Sequence, residues 1–212
     1  MGFFARDFNV FAPDLKGFGE NAGMDFPYSL DDYIAEVKEY IYKNGLKKPH
    51  VIAHSFGGRI VIKAASYDSD LFERIVLTGA AGLKPKFNFK KFIKRKTFAV
   101  LKKFIPKEKL NAFYSKDYRL LSPVMKESFI KIVNEELDDR LRFIKNPTLI
   151  INGKKDKETP IDTAKRLNAG IRGSKLVILP DAGHFCFIDA PFKFNSEVKE
   201  FLLKSYVSDR YK

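Results

Sequence analysis

The sequence predicts an α/β protein: a mostly parallel sheet flanked by helices, carrying a helical insert. Three observations point there. Short apolar runs of β type alternate with longer stretches of helical periodicity, the pattern of strand–helix–strand units with parallel strands. One run, residues 50–54, passes straight through Ser55 into a helical pattern. Residues 84–142 contain several helical patterns and no convincing strand. They read as the insert, and residues 1–83 and 143–212 as the core.

The elements follow in order. Residues 8–15 read as a strand ending in a Pro/Gly loop. Ser29 is a credible N-cap for a helix over 31–44, with Asp32 three residues on in place of the usual Glu or Gln. Gly45 ends that helix. Residues 50–54 form an apolar strand, and the helix after Ser55 runs to about Tyr67. Residues 75–78 are a short strand followed by Gly79-Ala80-Ala81-Gly82. Beyond the insert, 148–152 is a strongly apolar strand, Pro160 and Asp162 open a helix, 176–179 is another strand, and a helix over about 192–205 closes the chain.

The junction at Ser55 is the most informative. In Val51-Ile52-Ala53-His54-Ser55-Phe56-Gly57-Gly58, small residues stand two before the serine and two and three after it. A turn this tight forces a strained backbone at the serine, and flanking side chains must be small to avoid colliding. The hydroxyl is then held out at the tip of a nucleophile elbow. The following helix directs its N-terminal dipole at it, and the Phe56 N–H is placed to hold an oxyanion. The plainer alternative is that Ser55 only caps a helix.

A nucleophilic serine needs a base, and the base an orienting acid. The chain has three histidines, His50, His54 and His184. His54 adjoins Ser55, so strand alternation turns it to the other side. His50 lies about four residues, or ~13 Å, back along the strand. His184 falls in a loop after the run 176–179, at the sheet end where open α/β folds place their chemistry. Asp156, in the loop after 148–152, is the acid of choice. Glu158 is its competitor, closer to the next helix. Both could be ordinary charges of a helix N-terminus.

The order Ser55, Asp156, His184 resembles the triad order of the α/β-hydrolases, in a capped, esterase-like form. The resemblance rests on Phe11-Ala12-Pro13-Asp14-Leu15-Lys16-Gly17-Phe18-Gly19, the elbow, residues 153–160 and Ala182-Gly183-His184-Phe185, in that order. It covers nearly the whole chain. Residues 114–125 also resemble cap segments of such hydrolases. The resemblance implies an α/β-hydrolase fold with 84–142 at the cap position. It further implies three strands and a helix ahead of 8–15, and a His-Gly loop supplying a second oxyanion N–H. The sequence as it stands is N-terminally shortened relative to that pattern. A strand is then missing between 8–15 and 50–54, so those two strands must close up or a partner must fill the gap.

Composition sets the remaining bounds. A chain of 212 residues suits one core. The single cysteine, Cys186, excludes an internal disulfide and fits a reducing compartment; we read it as a buried filler. No apolar stretch resembles a signal peptide or reaches membrane-spanning length, so cytoplasm is the default. The net charge is +13. Residues 84–109 carry 11 Lys/Arg against one acid, Glu108, and repeat Phe89, Phe92, Ile93, Val100, Leu101 and Phe104 at helical spacing. This reads as the solvated basic face of a cap helix in preference to a peripheral contact with anionic membrane. No nucleic-acid module is visible, and no metal cluster or cofactor motif.

The expected function is a serine hydrolase acting on a small ester, thioester or amide with an apolar acyl group, received by a Phe-rich cap. The rival is a catalytically impaired hydrolase-like protein that binds a ligand or anionic surface through its basic cap.

Overall fold

Four apolar runs form one parallel sheet in the order β1–β2–β3–β4: Val51–His54, Ile75–Thr78, Thr148–Gly153 and Lys175–Leu179. The computed structural model describes residues 2–83 and 121–208. The basic stretch 84–109 and its phenylalanines lie outside the described residues.

Six helices of the described residues accompany the sheet: α1 Leu30–Lys43, α2 Phe56–Tyr67, α3 Pro123–Asn134, α4 Ile161–Gly170, the single turn α5 Cys186–Asp189, and α6 Pro191–Ser208. Each strand pairs with the next in sequence and in parallel. Right-handed crossovers between such neighbours place their helices on one face. Accordingly Ile60 and Ile62 of α2, with Ala164 and Leu167 of α4, share a core with Leu30, Tyr33 and Ile34 of α1. The other face packs Val76, Leu149 and Ile151 on Phe194, Val198 and Leu202 of α6.

Local sequence sets several boundaries. Ser29 caps α1 as a full capping box: its Oγ accepts from the Asp32 N–H, and the Asp32 carboxylate accepts from the Ser29 N–H at 2.7 Å. Gly45 follows the helix at φ 61°, the left-handed conformation that ends it without a Cβ penalty. Ser122 caps α3, and Pro123 occupies its first turn, where its missing N–H costs nothing.

Residues 8–15 correct the sequence reading, for they form no strand. Their composition suits β structure, but a strand exists only with a ladder partner. Among the described residues none lies on the outer side of β1, so 8–15 neither pair with it nor close the gap. The segment instead crosses from one core to the other: Phe8 packs with the α6-side cluster and Leu15 with the α1-side cluster. β1 is therefore an edge strand in the described structure, and Ile52 is 42% exposed.

Two cations of α2 fasten α3 beside the elbow helix. Arg59 donates to the carbonyls of Ile132 and Glu135, both at 2.9 Å, satisfying the carbonyl end of α3. Lys63, 4% exposed, pairs with Asp31 at 2.7 Å and Glu135 at 2.6 Å. Burial disfavours its charge, but the two carboxylates outweigh that and raise its pKa.

Candidate active site

Ser55 stands between β1 and α2 with φ 48° and ψ −109°, one of two non-glycine residues at positive φ among those described. A serine held there stores strain of order 1–3 kcal/mol, which surrounding bonds must overcome. They do so from the inner side of the sheet. The Ser55 N–H donates to Thr78 O at 3.1 Å, and its carbonyl accepts from the Gly58 and Ala81 N–H groups at 3.0 and 3.1 Å. The Ser55 side chain makes no capping bond to α2, which disfavours the plain capping reading. The Phe56 N–H belongs to the first turn of α2, where amides lack an intrahelical acceptor.

The small-residue rule falls differently from expectation. A Cβ added at Gly57 would sit 3.8 Å from the Ala53 Cβ, an ordinary contact. One at Gly58 would lie 2.6 Å from the Ala80 Cβ and 3.1 Å from its Cα. Gly58 is the position that must stay bare, because the 79–82 loop after β2 crosses there.

At the neighbouring strand ends, the structure brings Asp156 and His184 together. Their loops leave β3 and β4, which pair in register up to Gly153 and Leu179. The loops touch so closely that a Cβ on Gly153 would fall 2.1 Å from the Gly183 carbonyl oxygen. His184 Nδ1 lies 2.9 Å from Asp156 Oδ2. A carboxylate can only accept, so Nδ1 carries the proton, and Nε2 of the neutral ring is left with a lone pair.

Asp156 is buried, with its lone pairs well supplied. Oδ1 accepts from the N–H groups of Glu158 at 2.8 Å and Thr159 at 2.9 Å. Oδ2 accepts from the Thr159 hydroxyl at 2.7 Å as well as from His184. Burial alone would push this carboxyl up. The hydrogen bonds from His184 and Thr159 prevail and hold it below the usual carboxylate range.

Glu158 lies on the opposite edge of the imidazole, its Oε2 3.3 Å from His184 Nε2. Among the described residues Ser55 Oγ makes no hydrogen bond to His184. The structure thus joins two of the sequence-chosen residues directly and leaves Ser55 at the end of β1, separated from β3 by β2.

His54 takes a place that strand alternation alone does not show. Its ring centroid lies 4.6 Å from that of His184 and 5.2 Å from that of Phe185, so it is a neighbour of the candidate base. Its Nδ1 donates to Thr78 O at 3.0 Å. Burial first, and then the His184 charge, lower its pKa and favour a neutral ring. Strand alternation describes β1 but says nothing of the loop that brings His184 to it. Thr159 was also missed; a Thr three residues after an Asp at a helix entrance is the signal that could have found it. Cys186 is buried as expected, its Sγ 3.1 Å from Thr78 Oγ1, and burial pushes its thiol up.

Aromatic rings cover the elbow helix from the α1 side. Phe56 stacks on Phe18 at 5.7 Å and meets Tyr33 edge-on at 5.1 Å. A separate cavity of about 300 Å³ lies between residues 13–15 and α1, lined by Pro13, Leu15, Glu36, Val37 and Tyr40 among others. It holds none of the candidate residues. Among the described residues, no group of three or more His, Cys, Asp or Glu is placed to hold a metal ion, and no helix is long and apolar enough to cross a membrane.

A parallel sheet with a strained serine elbow and an Asp–His pair at its carboxyl end defines the class, and comparison with known proteins agrees. The model of the alpha/beta hydrolase family matches residues 1–197; the chain belongs to this family. It is 28% identical to the AB hydrolase superfamily protein YisY of Bacillus subtilis, over 92% of this chain and 82% of that one. It is 27% identical to the 2-hydroxy-6-oxo-6-(2'-aminophenyl)hexa-2,4-dienoic acid hydrolase of Metapseudomonas resinovorans, over 93% of this chain and 75% of that one. Among solved structures, CarC, a serine hydrolase involved in carbazole degradation, superposes with a TM-score of 0.73 at 27% identity, covering 95% of this chain and 81% of that chain.

Proposed function

We propose that this hydrolase-family chain is a serine hydrolase that cleaves a small ester, thioester or amide through an acyl-enzyme. Ser55 attacks the carbonyl carbon. His184 takes the hydroxyl proton at Nε2 and returns it to the leaving group. Asp156 keeps the Nδ1 proton in place and stabilises the imidazolium. The Phe56 N–H, at the positive end of α2, holds the oxyanion.

The observation that carries this reading is the strained Ser55 backbone, φ 48° and ψ −109°, at the carboxyl end of β1. Strain of this kind persists only where it is over-determined by its surroundings, here by the bonds to Thr78, Gly58 and Ala81. The Asp156–His184 bond supports it by fixing the tautomer a general base requires.

The test is turnover of p-nitrophenyl acetate and butyrate, with a 2-hydroxy-6-oxo-dienoic acid included because a relative is named for one. Ser55→Ala should lower kcat by at least about 10³; equal turnover in the variant refutes the reading. One observation favours a second reading. Among the described residues no strand lies outside β1 to carry another oxyanion N–H from that side, and losing one such donor costs about 10²–10³ in rate. That reading, a catalytically impaired protein binding anionic surfaces, predicts no turnover and vesicle binding that weakens as salt rises.

A further inference from the structure

His184 stands between two carboxylates. Asp156 Oδ2 meets Nδ1 at 2.9 Å, and Glu158 Oε2 meets Nε2 at 3.3 Å. The two acids lie two residues apart on one loop. Their environments differ: the Asp156 side chain is fully buried, whereas that of Glu158 is 68% exposed. The Glu158 N–H donates to Asp156 Oδ1, so the turn that secures Asp156 also carries Glu158 to the far edge of the ring.

The edges of an imidazole are not equivalent in acyl transfer. Nδ1 keeps its proton throughout, while Nε2 must offer a lone pair to the serine hydroxyl. A carboxylate has no proton to give and only lone pairs to offer. At Nε2 it therefore favours the N–H form of that atom, which cannot act as a base.

The other groups facing His184 do not do this. His54, across the ring face, is kept neutral chiefly by burial and offers no carboxylate to Nε2. The Thr159 hydroxyl lies on the Nδ1 side, 3.4 Å from it. The Cys186 thiol is turned to Thr78, and Asp189 accepts from the Gly183 N–H.

We propose that Glu158 is a positioning residue of this site: its carboxylate holds the Nε2 proton of charged His184 and must release that edge before Ser55 can be activated. The inference rests on the Ser55–His184–Asp156 reading. It makes the turn after β3 a dual device, in which one carboxylate keeps the base in the productive tautomer and the next restrains it at low pH.

The experiment compares wild type, Glu158→Gln and Glu158→Asp in the pH dependence of kcat/KM for p-nitrophenyl acetate, at low salt and at about 1 M salt. The acid limb of Glu158→Gln should lie at lower pH, so that one unit below the wild-type midpoint the variant is about 1.4- to 4-fold faster. Glu158→Asp should return the limb toward wild type, and high salt should draw the wild-type limb toward that of Glu158→Gln. Superimposed limbs, or a limb moved to higher pH, overturn the inference. Nitrogen-15 NMR of the His184 ring gives the same answer without turnover: Glu158→Gln should require a lower pH to protonate it, and an unchanged titration overturns the inference. His184→Ala separates the two levels. Its retained activity defeats the triad reading; an inactive His184→Ala with superimposed wild-type and Glu158→Gln limbs defeats the role of Glu158 alone.

Discussion

β3 and β1 both end at the candidate site, but they are supported differently. β3 is paired on both sides and buried along all six residues. β1 is paired only with β2 and leaves Ile52 exposed. Asp156 thus grows from an inner strand and meets His184, from the end of β4, in a turn braced by Thr159 and by the close passage of Gly153 under Gly183. Ser55 grows from the edge, and its strained backbone is held from the β2 side, through Thr78, Gly58 and Ala81. Among the described residues, the strained backbone at Ser55 is thus held from its inner flank. The Asp156–His184 pair depends on a saturated buried turn, and Ser55 on bonds to Thr78, Gly58 and Ala81.

The sharpest way to break this comparison is at Gly153. Gly153→Ala puts a Cβ into the Gly183 carbonyl, and no flexible side chain can give way. We expect a loss of roughly 4 kcal/mol or more, seen as a fall in Tm of about 10 °C. A Tm within a few degrees of wild type would mean the two loops are not locked together. Next come the glycines of the elbow helix. Gly58→Ala meets Ala80 and should cost about 1–3 kcal/mol by denaturant unfolding. Gly57→Ala has room and should be neutral or slightly stabilising. The reverse order would contradict the inner-side bracing of Ser55.

The acid limb of stability isolates the buried half. The Asp156 carboxyl is held below its ordinary value in the folded protein. The unfolded chain then takes up the proton more readily, so the stability this carboxyl contributes is present above about pH 4 and is lost as pH falls through its folded value. Asp156→Asn should flatten that loss in urea titrations across pH; an unchanged slope would place the acid sensitivity elsewhere. The smallest effect concerns exposure. Ile150→Val in β3 should cost about 0.5–1.5 kcal/mol, whereas Ile52→Val in β1 should stay within about 0.5 kcal/mol. Equal costs would show that β1 is covered in solution.

Features written in neighbouring residues could be read directly. The Ser29–Asp32 capping box, the strand–serine–helix junction at Ser55 and the loops bearing Asp156 and His184 depend on short stretches of chain, and the structure has them where the sequence put them. Features that depend on distant chain could not. Residues 8–15 have strand composition, but pairing requires a neighbour the pattern cannot supply. Whether Gly57 or Gly58 must be bare is decided by Ala80, more than twenty positions on. His54 and Glu158 acquire their places because the loop after β4 carries His184 to the ends of β1 and β3. The charge of 84–109 was plain in the sequence, but it lies outside the described residues.

Ser55 is the proposed nucleophile, and chemical labelling tests it most directly. A fluorophosphonate probe forms a covalent bond with an activated serine, and mass mapping locates the adduct. One adduct is expected, on Ser55, lost in Ser55→Ala and strongly slowed in His184→Ala. Labelling that persists at the same level in Ser55→Ala, or maps to another residue, contradicts it.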